Sequence, residues 1–230
     1  MRRVLTHRAI LLAPLAIGIF TGAFVAWAQE PGGGKDGSKY EANPDAGLSD
    51  AEREANIRAF KERNEKWVAD FSAKKLDPRT LPLVDIETYS RGATTPEEAR
   101  AQADALVEGV VVRVNYVATR GDVTHSSAVV SVTRSEKGET SKEIVVRQVG
   151  GPAWNNKGGE LQQLEGDPLL LPNQRVVLLL RRTDVEGEYY TVYGAGVYPV
   201  IGDTLHAPHS NAFADRVTGI SVDAGLAFLK

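Results

Sequence analysis

Val107–Val117 reads VEGVVVRVNYV and changes the hydrophobic period of the chain from helical to two. Val110, Val112, Val114 and Tyr116 fall on one side, and Val111, Arg113, Asn115 and Val117 on the other, the alternation of a half-buried strand. Downstream, Ala128, Val130 and Val132 alternate with Ser131 and Thr133, Glu136-Lys137-Gly138 makes a turn, and Ile144, Val146 and Val149 mark a third strand. Residues 175–182, RVVLLLRR, form an apolar run bracketed by arginines, suited to a strand buried on both faces. Glu186-Gly187 turns the chain into Tyr189–Tyr193, and Val197–Ile201 continues beyond Gly194 and Gly196, glycines that suggest a bulge or barrel corner. Strands joined by turns, with few helices between them, predict a sheet closed or nearly closed on itself.

Three stretches also support a resemblance. Val107-Glu108-Gly109-Val110-Val111-Val112, the run Val132 to Gly138 ending in Lys137-Gly138, and the Pro172 to Leu180 turn and strand resemble bacterial exported proteins of unknown function with a small OB-like or netrin-like barrel. The resemblance covers residues 105–205 and the 219–230 tail, and it implies five strands but no catalytic residue. The chain has no cysteine, so the protease inhibition of animal netrin-like modules does not carry over. The fold expected is mainly β, a five- to six-stranded antiparallel OB-like barrel over 107–206, with N-terminal helices and a short C-terminal helix.

Outward from the barrel, Ser49 with Glu52 fits a capping box opening an amphipathic helix over 49–76. Ile57, Phe60, Trp67 and Phe71 lie near one stripe, which predicts docking on the protein's own domain. Asp77-Pro78 and Leu81-Pro82 end that helix and begin a linker, 77–106. Within it, Thr95, Pro96 and Glu97-Glu98 start a second, short helix. In the 207–230 tail, Ser221 caps a final helix containing Leu226, Phe228 and Leu229, expected to pack on the barrel.

At the N-terminus, three arginines precede an uncharged run from Ala9 to Ala28, followed by the glycine-rich tether 29–48. Ala26-Trp27-Ala28 suits signal-peptide cleavage, while twenty uncharged residues also suffice for an uncleaved membrane anchor. Both readings of 1–28 place the remainder outside the cytoplasm, either secreted or held at the cytoplasmic membrane through residues 9–28.

Apolar residues at 42% and charged residues at 25% describe an ordinary folding sequence, while 22 glycines and 11 prolines imply abundant turns. The absence of cysteine excludes disulfides, thiolate metal centres and thiol catalysis. With Arg2, Arg3 and Arg8 set aside, 24 basic residues face 30 acidic ones, which argues against a nucleic-acid partner. No phosphate-loop or dinucleotide fingerprint occurs, and no cofactor is expected.

The chemistry-bearing candidates are few. Residues 150–159, GGPAWNNKGG, set Trp154, Asn155 and Asn156 in a flexible loop of the kind used for contact surfaces, with a barrel-end plug as the structural alternative for Trp154. Tyr189, Tyr190, Tyr193 and Tyr198 on adjacent strands are expected to line a face, with half of them in the core, and Arg181-Arg182 with Arg175 is the one basic group near it; Tyr190 and Arg181 join Trp154, Asn155 and Asn156 as the candidate ligand-binding residues. Asp203, His206 and His209 offer two imidazoles and a carboxylate to a metal, but Pro208 makes their segment a loop and the ligand set is incomplete. His125 and Ser126, adjacent on a strand, point apart and cannot form a nucleophile–base pair.

These features predict a non-enzymatic binding module of the cell envelope with a protein or glycan ligand. The alternatives are a metal-dependent enzyme built on Asp203, His206 and His209, and an envelope protein self-associating through helix 49–76.

Overall fold

The structure, a computed structural model, describes residues 47–86, 92–118, 123–155, 158–211 and 213–230. The segment 1–28, most of the tether and Asn156 lie outside the described residues. Among the described residues, no helix is long and apolar enough to cross a membrane.

Helix α1 runs Asp50–Ala73. Ser49 Oγ accepts the Glu52 backbone N–H, and the Glu52 carboxylate accepts the Ser49 backbone N–H at 2.8 Å, so the expected capping box is formed. Asn64, Val68 and Phe71, spaced four and three apart, are its buried residues, packed towards the barrel. Ile57, expected on the same stripe, is 41% exposed. One turn of 3-10 helix, Pro78–Thr80, and strand β1, Leu83–Ile86, follow in the linker, where extended or irregular chain was expected. Helix α2, Pro96–Gln102, begins at the Thr95 cap, whose side chain accepts the Glu98 backbone N–H.

The barrel is built from β2 (Ala105–Ala118), β3 (Thr124–Lys137), β4 (Glu143–Ala153), β6 (Arg175–Arg182) and β7 (Glu188–Thr191). Strand β2 pairs antiparallel with β3 and β6, β3 with β4, and β6 with β7. The ring closes between β4 and β7, in register Val145↔Glu188, Val146↔Tyr189 and Arg147↔Tyr190, and that pair is parallel. Of the five to six barrel strands expected, five close the ring, with a correction to the all-antiparallel pairing. Five strands cannot alternate direction around a closed ring, so one parallel seam is obligatory. The barrel also opens at Ala105, two residues before the expected boundary.

A second correction concerns β2. The register passes from Val111↔Val130 to Arg113↔Val129, leaving Val112 as a bulged residue. The bulge reverses the alternation: Val107 and Val111 face the barrel interior before it, and Val114 packs on that interior after it. Val110 and Val112 are consequently exposed, and Val114 is not on their face.

Strand β4 continues past the barrel. At Gly150, with φ 119°, it exchanges β3 for β5 (Glu160–Leu164), which pairs parallel with β1. Strand β8 (Val197–Ile201) pairs with β6 outside the ring and turns into β9 (Thr204–Leu205). Helices α3 (Ala214–Val217) and α4 (Val222–Leu229) close the chain.

Two apolar clusters result, sharing β6. Val176, Leu178 and Leu180 enter the barrel interior with Val107, Ile144 and Val146; Val177 and Leu179 enter an outer layer with Tyr198, Phe213, Leu226 and Leu229. The run RVVLLLRR is thus buried on both faces, as expected. Helix α4 packs through Leu226 and Leu229 and is capped by Ser221, also as expected.

Lys137-Gly138 ties the β3 turn to α2. Lys137 Nζ donates to the carbonyls of Arg100 at 2.7 Å and Ala103 at 2.6 Å, satisfying groups at the end of that helix. Gly138 adopts φ 73°, and a Cβ there would collide with the Asp104 carbonyl oxygen.

Candidate functional site

On the outer surface of the barrel, Arg147 of β4, Tyr190 of β7 and Arg181 of β6 stand in one transverse row. Tyr190 is the register partner of both arginines, across the parallel seam and the antiparallel pair respectively. Strand alternation puts them outside, because Val146, Tyr189 and Leu180, the adjacent positions, all point into the barrel core. Directly opposed side chains leave their Cβ atoms about 5 Å apart, so the three side chains form a contiguous strip.

The turn between β6 and β7 builds one wall. Thr183 Oγ1 accepts the Val185 backbone N–H at 3.0 Å, the Glu188 N–H reaches the Val185 carbonyl at 3.1 Å, and Gly187 takes φ 77°. Beside it lies an open cleft of about 380 Å³ lined by Arg147, Arg181, Arg182, Asp184, Glu188 and Tyr190, among others. A wider concavity of about 710 Å³ lies on the side of residues 139–141.

Charge in the cleft is mixed. Arg147 pairs with Glu188 at 2.6 Å. Hydrogen bonding to Glu188 raises the Arg147 pKa above its ordinary value, with Tyr190 a lesser contributor. Arg182 Nη2 donates to the Glu139 carbonyl at 3.2 Å. The Arg181 guanidinium is exposed and has no hydrogen-bond or ion-pair partner among the described residues. Tyr190 is 44% exposed, which leaves its ring open to a ligand. The strip thus offers an aromatic surface, an uncommitted guanidinium and a braced ion pair.

Trp154 and Asn155 belong to a different region. They follow β4 seven and eight residues beyond Arg147, after the strand has left the barrel ladder. The Trp154 N–H donates to Asn64 Oδ1 at 2.7 Å, its ring centroid is 5.4 Å from that of Phe60, and the Arg63 guanidinium sits 4.6 Å above it. Asn155 Nδ2 donates to Glu160 Oε2 at 2.7 Å, and its Oδ1 accepts the Gly159 N–H at 3.0 Å. Trp67 lies where a Cβ on Gly159 would stand. The polar groups of Trp154 and Asn155 therefore close their own loop and fasten α1. Tyr190 and Arg181 are brought together; Trp154 and Asn155 do not join them.

The loop histidines are also dispersed. Asp203 faces Arg175 at 3.4 Å, and Arg175 in turn pairs with the buried Glu108 at 2.6 Å. His206 Nε2 lies 3.2 Å from Thr204 Oγ1, and His209 is exposed. Among the described residues, no group of three or more His, Asp or Glu side chains gathers around a point suited to a metal. Ser126 is buried and His125 exposed, on opposite faces of β3.

Two residues escaped the sequence reading. Arg147 is outward in the Ile144, Val146 alternation, yet only the parallel seam sets it beside Tyr190. Asp167 is buried beside Thr191, whose hydroxyl donates to its Oδ2 at 2.8 Å. Burial raises the Asp167 pKa to about 6, opposed by the hydrogen bond from Thr191. No periodic signal marks it, because Gly166-Asp167-Pro168 reads as a turn.

Compared with known proteins, the chain matches no protein-family model and no curated sequence.

Proposed function

We propose that the protein is an exported or membrane-tethered, non-enzymatic binding module of the cell envelope. Its ligand, a protein or glycan, docks on the outer face of β4, β7 and β6. The observation supporting this reading is the in-register row Arg147, Tyr190, Arg181 beside an open cleft. Rigid strands hold all three residues, and pre-ordered side chains lose little freedom on binding. Export rests on the basic start and the uncharged run of residues 9–28. The non-enzymatic part rests on the sequence, which assembles no recognised set of nucleophile, base and oxyanion donors.

Sedimentation of the purified full chain with isolated envelope material tests the reading. Wild-type protein is expected to co-sediment, Tyr190→Ala/Arg181→Ala to lose at least tenfold in apparent affinity, and Trp154→Ala to bind as wild type. Absence of wild-type binding, or equal binding by the double variant, rejects it.

A further inference from the structure

We infer that the face formed by Arg147, Tyr190 and Arg181 takes a glycan bearing carboxylate groups. The inference rests on the binding-module reading and supplies the chemistry of its ligand.

Geometry first removes the strand-like occupant. An extended peptide adds to a sheet through a free edge, and β7 has none: its two edges are taken by β4 and β6. Nor does the cleft provide an apolar pocket for a protein anchor residue. Its walls are Arg147, Arg181, Arg182, Asp184 and Glu188, with Val185 the one aliphatic side chain. Protein hot spots form in packed, fully desolvated pockets, and this cleft is open and polar.

The same features suit a sugar. A pyranose ring presents C–H groups to an aromatic face and hydroxyls that both donate and accept at its rim. Tyr190, 44% exposed, supplies the face. The Arg147–Glu188 pair at 2.6 Å places a donor and an acceptor beside it, on a side chain already held in position. Asp184 adds a second acceptor in the cleft.

Arg181 then selects the charge. It flanks Tyr190 on the side opposite Arg147, and its guanidinium has no partner among the described residues. A planar fork of donors matches a carboxylate in two parallel hydrogen bonds. One uncommitted guanidinium is too little for a polyphosphate, whose binding depends on several cations at once, and Asp184 and Glu188 in the same cleft oppose a dense polyanion. A polymer with one carboxylate per sugar, bound by stacking and hydroxyl contacts, fits this balance.

The test uses three probes against the full chain in titration calorimetry: a hexamer of galacturonic acid, the same hexamer with its carboxyls reduced to alcohols, and hexaglutamate. The acidic hexamer is expected to bind, with affinity at least tenfold above the reduced one and above hexaglutamate. Arg181→Gln should abolish that preference while sparing residual sugar binding. Arg181→Lys should recover part of it, because the charge returns without the fork. Tyr190→Leu should weaken both sugars about tenfold, an expectation from lost stacking. Both positions are exposed, and unchanged unfolding midpoints confirm that the variants fold.

Equal binding of the acidic and reduced hexamers overturns the carboxylate assignment. Stronger binding of hexaglutamate replaces the glycan by an acidic peptide, and binding of none of the probes overturns the inference. If envelope co-sedimentation still depends on Tyr190 while these probes fail, the binding-module reading stands and this inference alone falls.

Discussion

Asn64 accepts the Trp154 backbone N–H at 2.7 Å, joining two residues ninety positions apart in the chain. Asn64 is itself buried in the middle of α1, so this bond fixes the helix against the far end of β4. Phe60, one turn earlier on α1, and Arg63, the residue before Asn64, pack against the indole. Further along, Trp67 packs on Phe71 and Phe71 on Tyr116 of β2, at centroid distances of 5.3 and 6.4 Å. The loop that looked most like a contact surface in the sequence is therefore the fastening of the helix.

Trp154→Ala is expected to loosen α1 rather than impair the face at Tyr190. Loss of a half-buried indole with its aromatic and cation contacts costs about 2–3 kcal/mol. Hydrogen exchange should accelerate over residues 60–73 and remain unchanged over 181–191. Uniform acceleration across the barrel, or none in α1, contradicts this role.

Arg175→Met should cost about 2–4 kcal/mol, because it leaves the carboxylate of Glu108, only 10% exposed, without its partner. The double variant Glu108→Gln/Arg175→Met is expected to be more stable than Arg175→Met alone. Denaturant titrations of the single and double variants supply the cycle; strict additivity would mean the pair is not coupled.

Gly138→Ala meets two obstacles, a left-handed φ of 73° and the Asp104 carbonyl. A loss of about 2–4 kcal/mol is expected from the combination. Gly187, with φ 77° but open space around it, gives the contrast: Gly187→Ala should cost only about 1 kcal/mol. Similar unfolding midpoints for the two variants would show that the Asp104 contact adds nothing.

The Asp167 carboxyl makes stability depend on pH. Its pKa is about 6 in the folded chain against an ordinary 3.8, so the folded state binds the proton more tightly. That contribution is complete below pH 3.8 and disappears as pH rises through 6. Stability is expected to fall by about 3 kcal/mol across this window, the free-energy equivalent of the difference between the folded and unfolded proton affinities. Asp167→Asn keeps an acceptor for Thr191 and should flatten the dependence, measured as unfolding free energy between pH 4 and 7.5. Parallel curves for wild type and variant would remove Asp167 as the cause.

Much of the barrel was legible because its signals are local. The alternation in Ala128–Val132, the apolar run of Arg175–Arg182 and the caps at Ser49, Thr95 and Ser221 each depend on neighbours within a few residues. Strands β1 and β5 were not legible: Leu83–Ile86 follows two prolines without a clear alternation, and Glu160–Leu164, a polar stretch, is held between the adjacent end of β4 and the distant β1. The phase of β2 was hidden by the bulge at Val112, which leaves no mark in a valine-rich run. For the site, Tyr190 and Arg181 were readable as outward residues near a turn. Arg147 was not, since it reaches Tyr190 through a parallel seam that exists only once the ring is closed.

Hydroxyl-radical footprinting of the full chain, with and without isolated envelope material, separates a ligand on the Tyr190 face from one at the Trp154 loop. Tyrosine and tryptophan both label readily, so Tyr190 and Trp154 report on the two regions in one sample. Ligand bound across β4, β7 and β6 should reduce labelling of Tyr190 and leave Trp154 unchanged. Protection of Trp154 with Tyr190 still labelled, or protection of neither, would contradict it.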